Sequence, residues 1–427
     1  MADVQPLRAL HYDLATVGTL DAVAAPPYDV IDDAQRERLA ARSPYNVVSI
    51  DLPRDPDGGD PYAHAAVLLQ GWIDEGAIVH DDQPALWALR QDYTGPDGRA
   101  RTRRGFLCRV RVEEYGRGRI RPHERTHPGP REDRLRLTRA TRANLSPIFS
   151  LYSDPDGAAW GALAPATERP PFGELSDEDG TRHRLWRVGD AGAIATVQAA
   201  LADTELLIAD GHHRYETARV YAEEVGGEGE HRYVLMCLVA LEDDGLEIFP
   251  THRLVRDTTP QTQEALAATL REHFDIAEID HSELRPPDGG HTPEAGRSPL
   301  TMGYIDAHLK RAFRLTLRDQ AIADRALAAM PEAYRRLDTA VLEALLLSGP
   351  LGLTEDDISH LRGLGYSRTD AEALELVLSG HYDLAFFLRA TPVEQVRAIA
   401  AAGVNMPPKS TYFFPKVPTG MLFNPLL

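Results

Sequence analysis

Residues 206–221 read L-L-I-A-D-G-H-H-R-Y-E-T-A-R-V-Y, and the reading of this stretch sets the fold. Leu206, Leu207, Ile208 and Ala209 form an apolar run with the length and bulk of a buried strand. Asp210 and Gly211 break it, and from His212 onward Tyr215, Ala218 and Ala222 are spaced to share one helical face. A strand, a tight glycine turn and a helix point backbone N–H groups and the positive end of a helix dipole at whatever sits above the turn. An aspartate N-cap followed by clustered surface cations is the plainer explanation, and for Asp210 alone it suffices. Cations that open a helix oppose its dipole, however, so Asp210, Gly211, His212, His213 and Arg214 together point to an anion site, above all for a phosphate.

The flanking chain reads as α/β. Tyr233 to Leu241 is a strongly apolar strand, which makes 206–241 a strand–helix–strand crossover and part of the sheet parallel. Upstream, strands are expected at 7–11, 46–52, 85–93, 104–113, 148–152 and 183–188, and helices at 33–42, 62–75, 131–144 and 192–201. The segment 154–182 is rich in Pro, Gly and acid and reads as loop. Downstream, a strand at 248–255 carries His252 and Arg253. A helix at 258–274 and strands within 275–283 and 300–317 follow. Helices are then expected at 332–348, 354–363 and 368–379, with a strand at 384–388. Thr391-Pro392-Val393-Glu394 has the form of a helix start, and the prolines of 406–416 force an extended arm. Three regions result: 1–150, an N-terminal α/β region with a basic loop; 151–317, a central α/β region with the 210–214 turn; and 318–427, a mainly helical region whose final arm returns to the site.

Charge and cysteine usage narrow the function classes. The net charge of -19 over 427 residues argues against a protein built around a nucleic-acid backbone. Yet fifteen arginines lie between Arg99 and Arg142 against five acids, a local excess that suggests an anion site. For 99–111 a solvated hairpin with outward arginines is the simpler explanation. Three lysines stand among 46 basic residues, and two of them, Lys409 and Lys416, fall in the 406–416 arm, where a compact ammonium is required. Two cysteines support neither a disulfide framework nor a cysteine metal site. With no long apolar run and no signal-like start, the chain reads as soluble and cytoplasmic. His123-Glu124-Arg125-Thr126-His127 matches the zincin pattern letter for letter, but Pro122 and Pro128-Gly129-Pro130 enclose it and oppose the helix that zinc ligation needs. A loop presenting His123 and Glu124 is expected instead, with no protein-held metal. Glu124 is the candidate general base, although a carboxylate among arginines loses basicity.

Several stretches resemble one prokaryotic family, domain of unknown function 1015, described as ParB-like. They are A-P-P-Y-D-V-I at 25–31, P-H-E-R-T at 122–126, D-R-L-R-L at 133–137, F-P-T-H-R-L at 249–254 and M-P-P-K-S-T-Y-F-F-P-K at 406–416. The D-G-H-H-R-Y box at 210–215 is similar to the phosphate-binding box of the ParB, sulfiredoxin and free-serine-kinase superfamily. The resemblance implies a ParB/sulfiredoxin-like nucleotide-binding core with long insertions, ATP or ADP with Mg²⁺ as cofactors, and serine or phosphoserine as the leading substrate. The expected function is a nucleotide-dependent phosphotransferase acting on a small hydroxyl-bearing metabolite. Gly211, His212, His213, Arg214, Lys409, Ser410, Thr411 and Lys416 would bind nucleotide, Tyr28, Asp29 and Arg253 the substrate, and His123, Glu124, Asp210 and His213 would carry the chemistry. The Lys409-Ser410-Thr411 triplet is not a Walker loop, because no glycines precede it. A phosphoserine-type phosphatase would use much the same groups. The reading of a different class is a ParB-like regulator that binds nucleotide and nucleic acid. Its best DNA element, 354–379, ends in an acidic helix, so duplex DNA is not an expected partner.

Overall fold

The computed structural model describes residues 2–95, 98–115, 119–124, 128–287 and 300–427. Its contacts divide the chain into two compact units, the first formed by Met1–Pro122, Thr126–Leu246 and Pro415–Leu427, the second by His123–Arg125 and Glu247–Phe414. These units are a different division of the chain from the three sequence regions 1–150, 151–317 and 318–427. The second unit is an insertion within the first, and each contains its own sheet.

Unit one is built on a sheet of nine strands among the described residues. From one edge to the other they are Ile120–Arg121, Leu206–Asp210, Ile148–Tyr152, Tyr233–Ala240, Ala100–Arg111, Leu86–Thr94, Arg182–Val188 and Gly173–Ser176, with Val4–Gln5 also on Ala100–Arg111. The sheet is mixed, as expected. The crossover is not: Leu206–Asp210 and Tyr233–Ala240 are separated by Ile148–Tyr152, which runs antiparallel to the first and parallel to the second. Ile148–Tyr152, buried along its whole length, lies between them. The helix His212–Val225 therefore links two strands of opposite direction. The expected strand at 46–52 is instead one helical turn, Val48–Asp51, because Asn46 turns its amide to the Ala22 and Ala24 carbonyls and accepts from the Val48 N–H. The 154–182 segment also holds order beyond a loop, with helix Ala158–Leu163 and strand Gly173–Ser176.

Side chains alternate across the sheet. Phe106, Cys108, Val110, Ile148, Met236, Leu238, Leu206 and Ile208 share the core formed with Leu163, Val197, Leu201, Tyr215 and Ala218 of the helices. Burying each such large side chain contributes about 1.5–3 kcal/mol. Phe149, Leu107 and Arg103 lie in the alternate positions. By strict alternation Asp210 would follow Leu206 and Ile208 into the helix-covered core. A register shift between Ile208 and Asp210 prevents this: Ile208 pairs with Ser150, and Asp210 already pairs with Phe149. One extra residue turns the carboxylate to the opposite face.

Unit two contains a six-stranded antiparallel sheet in the order Phe274–Ile279, Ala312–Leu317, Thr301–Asp306, Leu384–Phe387, His252–Val255, Leu364–Ser367. Helix Pro260–His273 and the 338–347 helical segment cover one face through Leu266, Leu270, Val341 and Leu346; Ala373 and Val377 of helix Asp370–Leu378 cover the other. The single strand expected at 248–255 is two. Glu247–Phe249 pairs with Tyr412–Phe414, and His252–Val255 joins the large sheet, because Pro250 interrupts the ladder between them. Thr391 does not cap the helix Val393–Ala401; its hydroxyl donates to the Ser410 carbonyl.

Arg389, just after a central strand, grips Asp338 of the covering helix with two hydrogen bonds of 2.8 Å, and both side chains are about 6% exposed. Breaking such a pair leaves a buried charge without its partner, so Asp338→Ala should lower unfolding free energy by roughly 3–5 kcal/mol. The double replacement Asp338→Leu with Arg389→Leu should recover most of that loss. Urea titrations of the three chains check both outcomes.

Candidate functional site

The strand, glycine turn and helix at 206–225 are formed as the sequence indicates. Gly211 adopts φ +96°, a left-handed conformation that side-chain-bearing residues rarely take, and it opens a 14-residue helix. Glycine offers no capping side chain, no side-chain hydrogen bond caps this helix, and its first turn has no acid. Other long helices of the protein are capped by Asp32, Asp60, Asp190, Thr259 and Thr369. Here the backbone N–H groups of the first turn have no side-chain cap, and the nearest acid, Asp210, is engaged by Arg214 and Lys416.

Arg214, one turn into the helix, folds back beneath the turn. Its Nη2 donates to Asp210 Oδ2 at 2.6 Å, and its Nη1 donates to Ser146 Oγ at 2.7 Å and to the Pro147 carbonyl. The guanidinium then lies against Gly211, where a Cβ would meet Nε at 3.0 Å. That Nε is buried with no hydrogen-bond partner. Lys416 donates to the other oxygen of Asp210 at 2.5 Å. Burial alone would raise the Asp210 pKa, but Lys416 and Arg214 outweigh it and hold the carboxyl far below the usual range. A carboxylate so held is a poor general base; it serves to fix two cations. The carbonyl of Lys416 is itself gripped by Gln91 Nε2 at 3.0 Å.

The predicted substrate residues Tyr28 and Asp29 follow Pro27 in a short 3₁₀ turn. The Arg134 guanidinium stacks 4.3 Å from the Tyr28 ring centre and donates to the backbone and side chain of the buried Asp51. Burial pushes Tyr28 up to about 12, against the pull of Arg214. Asp51 is raised by burial although Arg134 and Arg214 oppose the shift. Tyr28, Asp51, Arg134 and Arg214 thus belong to one electrostatic neighbourhood of unit one, while Asp29 is exposed.

Unit two gathers the other candidates. His123 is fully buried, with Nε2 at 2.9 Å from Thr411 Oγ1 and 3.9 Å from Glu124 Oε1, and its carbonyl accepts from the Met406 N–H. Ser410 donates to the Pro407 carbonyl and bonds Thr339, so its hydroxyl is engaged in the fold of the arm. Lys409, next to it, has φ +57°. Arg253 is buried over the Tyr366 ring and donates to the carbonyls of Thr251 and Pro408; burial lowers its pKa although Tyr366, Glu343 and Glu124 pull the other way. His252 is a satisfied strand histidine, bonded to Asp370 and to the Leu388 N–H. Arg125, Thr126 and His127 of the zincin-like stretch lie outside the described residues. Among the described residues no cluster of His, Cys, Asp or Glu could hold a metal ion, and no helix is long and apolar enough to cross a membrane.

Sequence reasoning missed Asp51, Arg103 and Gln91 and assigned Arg134 no role. The D-R-L-R-L motif contains Arg134, so the signal was present there. Asp51 was hidden by a wrong strand assignment, and Arg103 by the assumption of an outward hairpin: it is 0% exposed.

A family model described as a protein of unknown function, DUF1015, matches residues 4–340. The chain belongs to that family. No curated protein matches this DUF1015 chain in sequence. Among solved structures, it is similar to a free serine kinase in complex with AMP, with 14% identity, 69% of this chain and 83% of that chain covered, and a TM-score of 0.36. It is also similar to a conserved hypothetical protein from Pyrococcus furiosus, at 15% identity, 70% and 90% coverage and a TM-score of 0.35. SbnI with a C-terminal truncation from Staphylococcus aureus follows at 11%, 72% and 82%, and 0.34. Likenesses this distant carry no argument about function.

The Asp210 network makes a prediction of definite sign. Its folded pKa lies below the unfolded value of about 3.9, so its contribution to stability is complete above about pH 4. That contribution is lost as pH falls from there toward the depressed native value. Asp210→Asn should flatten the fall of stability between about pH 4 and pH 2, whereas Lys416→Met, which leaves the carboxylate with one buried partner fewer, should destabilise the protein at pH 7. Thermal melts across this pH range read both effects.

Proposed function

We propose that this chain is a nucleotide-dependent phosphotransferase whose phosphate-binding element is the 210–214 turn of unit one, and that its acceptor is a small hydroxyl-bearing metabolite of the serine or phosphoserine kind. The observation that carries the reading is the pairing at Gly211. A helix start with no side-chain cap and a buried guanidinium N–H of Arg214 without a hydrogen-bond partner lie side by side, the guanidinium packed against the bare Cα of Gly211. Both are donors, both are fixed before any ligand arrives, and both suit a phosphate oxygen.

A bound nucleotide would supply the phosphoryl group. The work left to the protein is positioning and charge neutralisation. The Gly211 turn presents backbone N–H groups. Arg214 offers Nε while Asp210, Ser146 and Pro147 lock its other nitrogens, so its direction costs little further entropy on binding. Lys416 stays beside Asp210 as a second fixed cation. The residues present do not fit a protein-held Mg²⁺, since both Asp210 oxygens are engaged by cations, and no step is assigned to one.

Gly211→Ala should strain the left-handed turn and push its methyl group against Arg214. ATP or ADP affinity should then fall about tenfold or more, the loss of one charge-assisted contact, while the far-ultraviolet circular dichroism stays unchanged. Isothermal titration of ATP and ADP into the two proteins is the direct test. Equal affinities would place the nucleotide elsewhere, and no binding to wild type would remove the nucleotide reading.

A further inference from the structure

Arg103 sits in the middle of a hydrophobic sheet with no accessible surface. Its Nε and Nη2 both donate to the amide oxygen of Gln91, at 2.9 and 2.6 Å, and its guanidinium carbon lies 4.4 Å from the centre of the Phe149 ring. Among the described residues no carboxylate comes within salt-bridge distance of it. Asp210, whose charge reaches Arg103, is already shared by Lys416 and Arg214. Asp243, the other nearby acid, accepts from the backbone N–H groups of Arg104 and Gly245. The Nη1 of Arg103 is buried without a partner. Burial draws its pKa down to about 10, which leaves it charged at neutral pH.

A buried cation held by one neutral amide and one ring is costly, and evolution has apolar alternatives of similar volume. The neighbours hold it firmly in that state. Gln91 can turn only its nitrogen toward His183 Nδ1 and the Lys416 carbonyl, because Arg103 occupies its oxygen. His183, fully buried, then keeps its proton on Nε2, facing Asp177 at 2.8 Å. Nothing in this chain of contacts offers Arg103 a negative charge.

The position of Arg103 supplies the explanation. Phe149, under its guanidinium, is the cross-strand partner of Asp210, and the bulge in strand Leu206–Asp210 turns Asp210 to this same face. We infer that Arg103 is a further anion-anchoring residue of the 210–214 site, its Nη1 reserved for an oxygen of a bound phosphate or polyphosphate. This rests on the phosphate-site reading above and adds to it a residue from a different strand.

The inference predicts opposite signs for stability and binding. In the full-length protein, Arg103→Met should leave the ligand-free melting temperature equal to or above that of wild type, because an uncompensated buried charge is gone. Its affinity for inorganic tripolyphosphate should fall about tenfold, and the melting-temperature rise that tripolyphosphate gives wild type at matched ionic strength should disappear. Should the methionine chain not fold, Arg103→Gln is the second neutral variant. Arg103→Lys, which retains the charge, should bind tripolyphosphate within a few-fold of wild type. A lower melting temperature in Arg103→Met with undiminished tripolyphosphate affinity would make Arg103 purely structural, as would equal binding by the Gln and Lys variants. Orthophosphate and ATP are titrated beside tripolyphosphate. If neutral variants lose tripolyphosphate and ATP never binds, Arg103 keeps its role and the nucleotide reading falls. If ATP binds the Gln variant as it binds wild type, the Arg103 inference fails and the nucleotide reading stands.

Discussion

One carboxylate organises the first unit. Asp210 ties Lys416, from the end of the sequence, to Arg214, from the helix it precedes, and each bond uses a different oxygen. Without that anion one ammonium and one guanidinium would sit side by side in a largely buried place, and their repulsion would open the turn. With it they form a triad in which the Arg214 guanidinium lies against Gly211. The triad depends in turn on a one-residue irregularity in the sheet. A strand of perfect alternation would bury Asp210 among the core leucines and isoleucines of the helix-covered face, where a charge has no partner.

The elements that the sequence made legible are those with strong local patterns. The apolar run at 206–209, the glycine turn and the helical face of Tyr215 and Ala218 are all local, and they are found where expected. So are the 148–152 strand and the hairpin partners around residue 95. What escaped was set at long range. That Ile148–Tyr152 would lie between Leu206–Asp210 and Tyr233–Ala240 is decided by sheet packing, which no local window contains. The same holds for the split of 248–255 between two sheets. Pro250 was visible as an interruption, but the partner of Glu247–Phe249 is a strand more than 160 positions later.

The candidate residues show a similar division. Asp210, Gly211 and Arg214 could be read from their spacing. Lys416 could be read from the rarity of lysine, a signal that identified the residue but not its partner. Arg103 had no such signal, because arginine is common in its surroundings and only burial distinguishes it. In a sequence so rich in arginine, the informative ones are those that the fold denies water: Arg389 is gripped by Asp338, and Arg103, Arg134 and Arg253 are each packed over an aromatic ring, at 4.3–4.7 Å from its centre. Arg134 is satisfied by acids, Arg253 by carbonyls, and Arg103 by neither.

The nesting of one unit inside the other has a consequence for how the protein is made. Asp210 and Lys416 are 206 positions apart, and everything between residues 247 and 414 belongs to the inserted unit. During synthesis the first unit must therefore wait, with its carboxylate and its arginine assembled but the lysine still unmade, until the inserted unit has left the ribosome. Contacts of such separation are slow to form and leave partly folded chains exposed. The inserted segment carries its own six-stranded sheet, which can form before the host is complete.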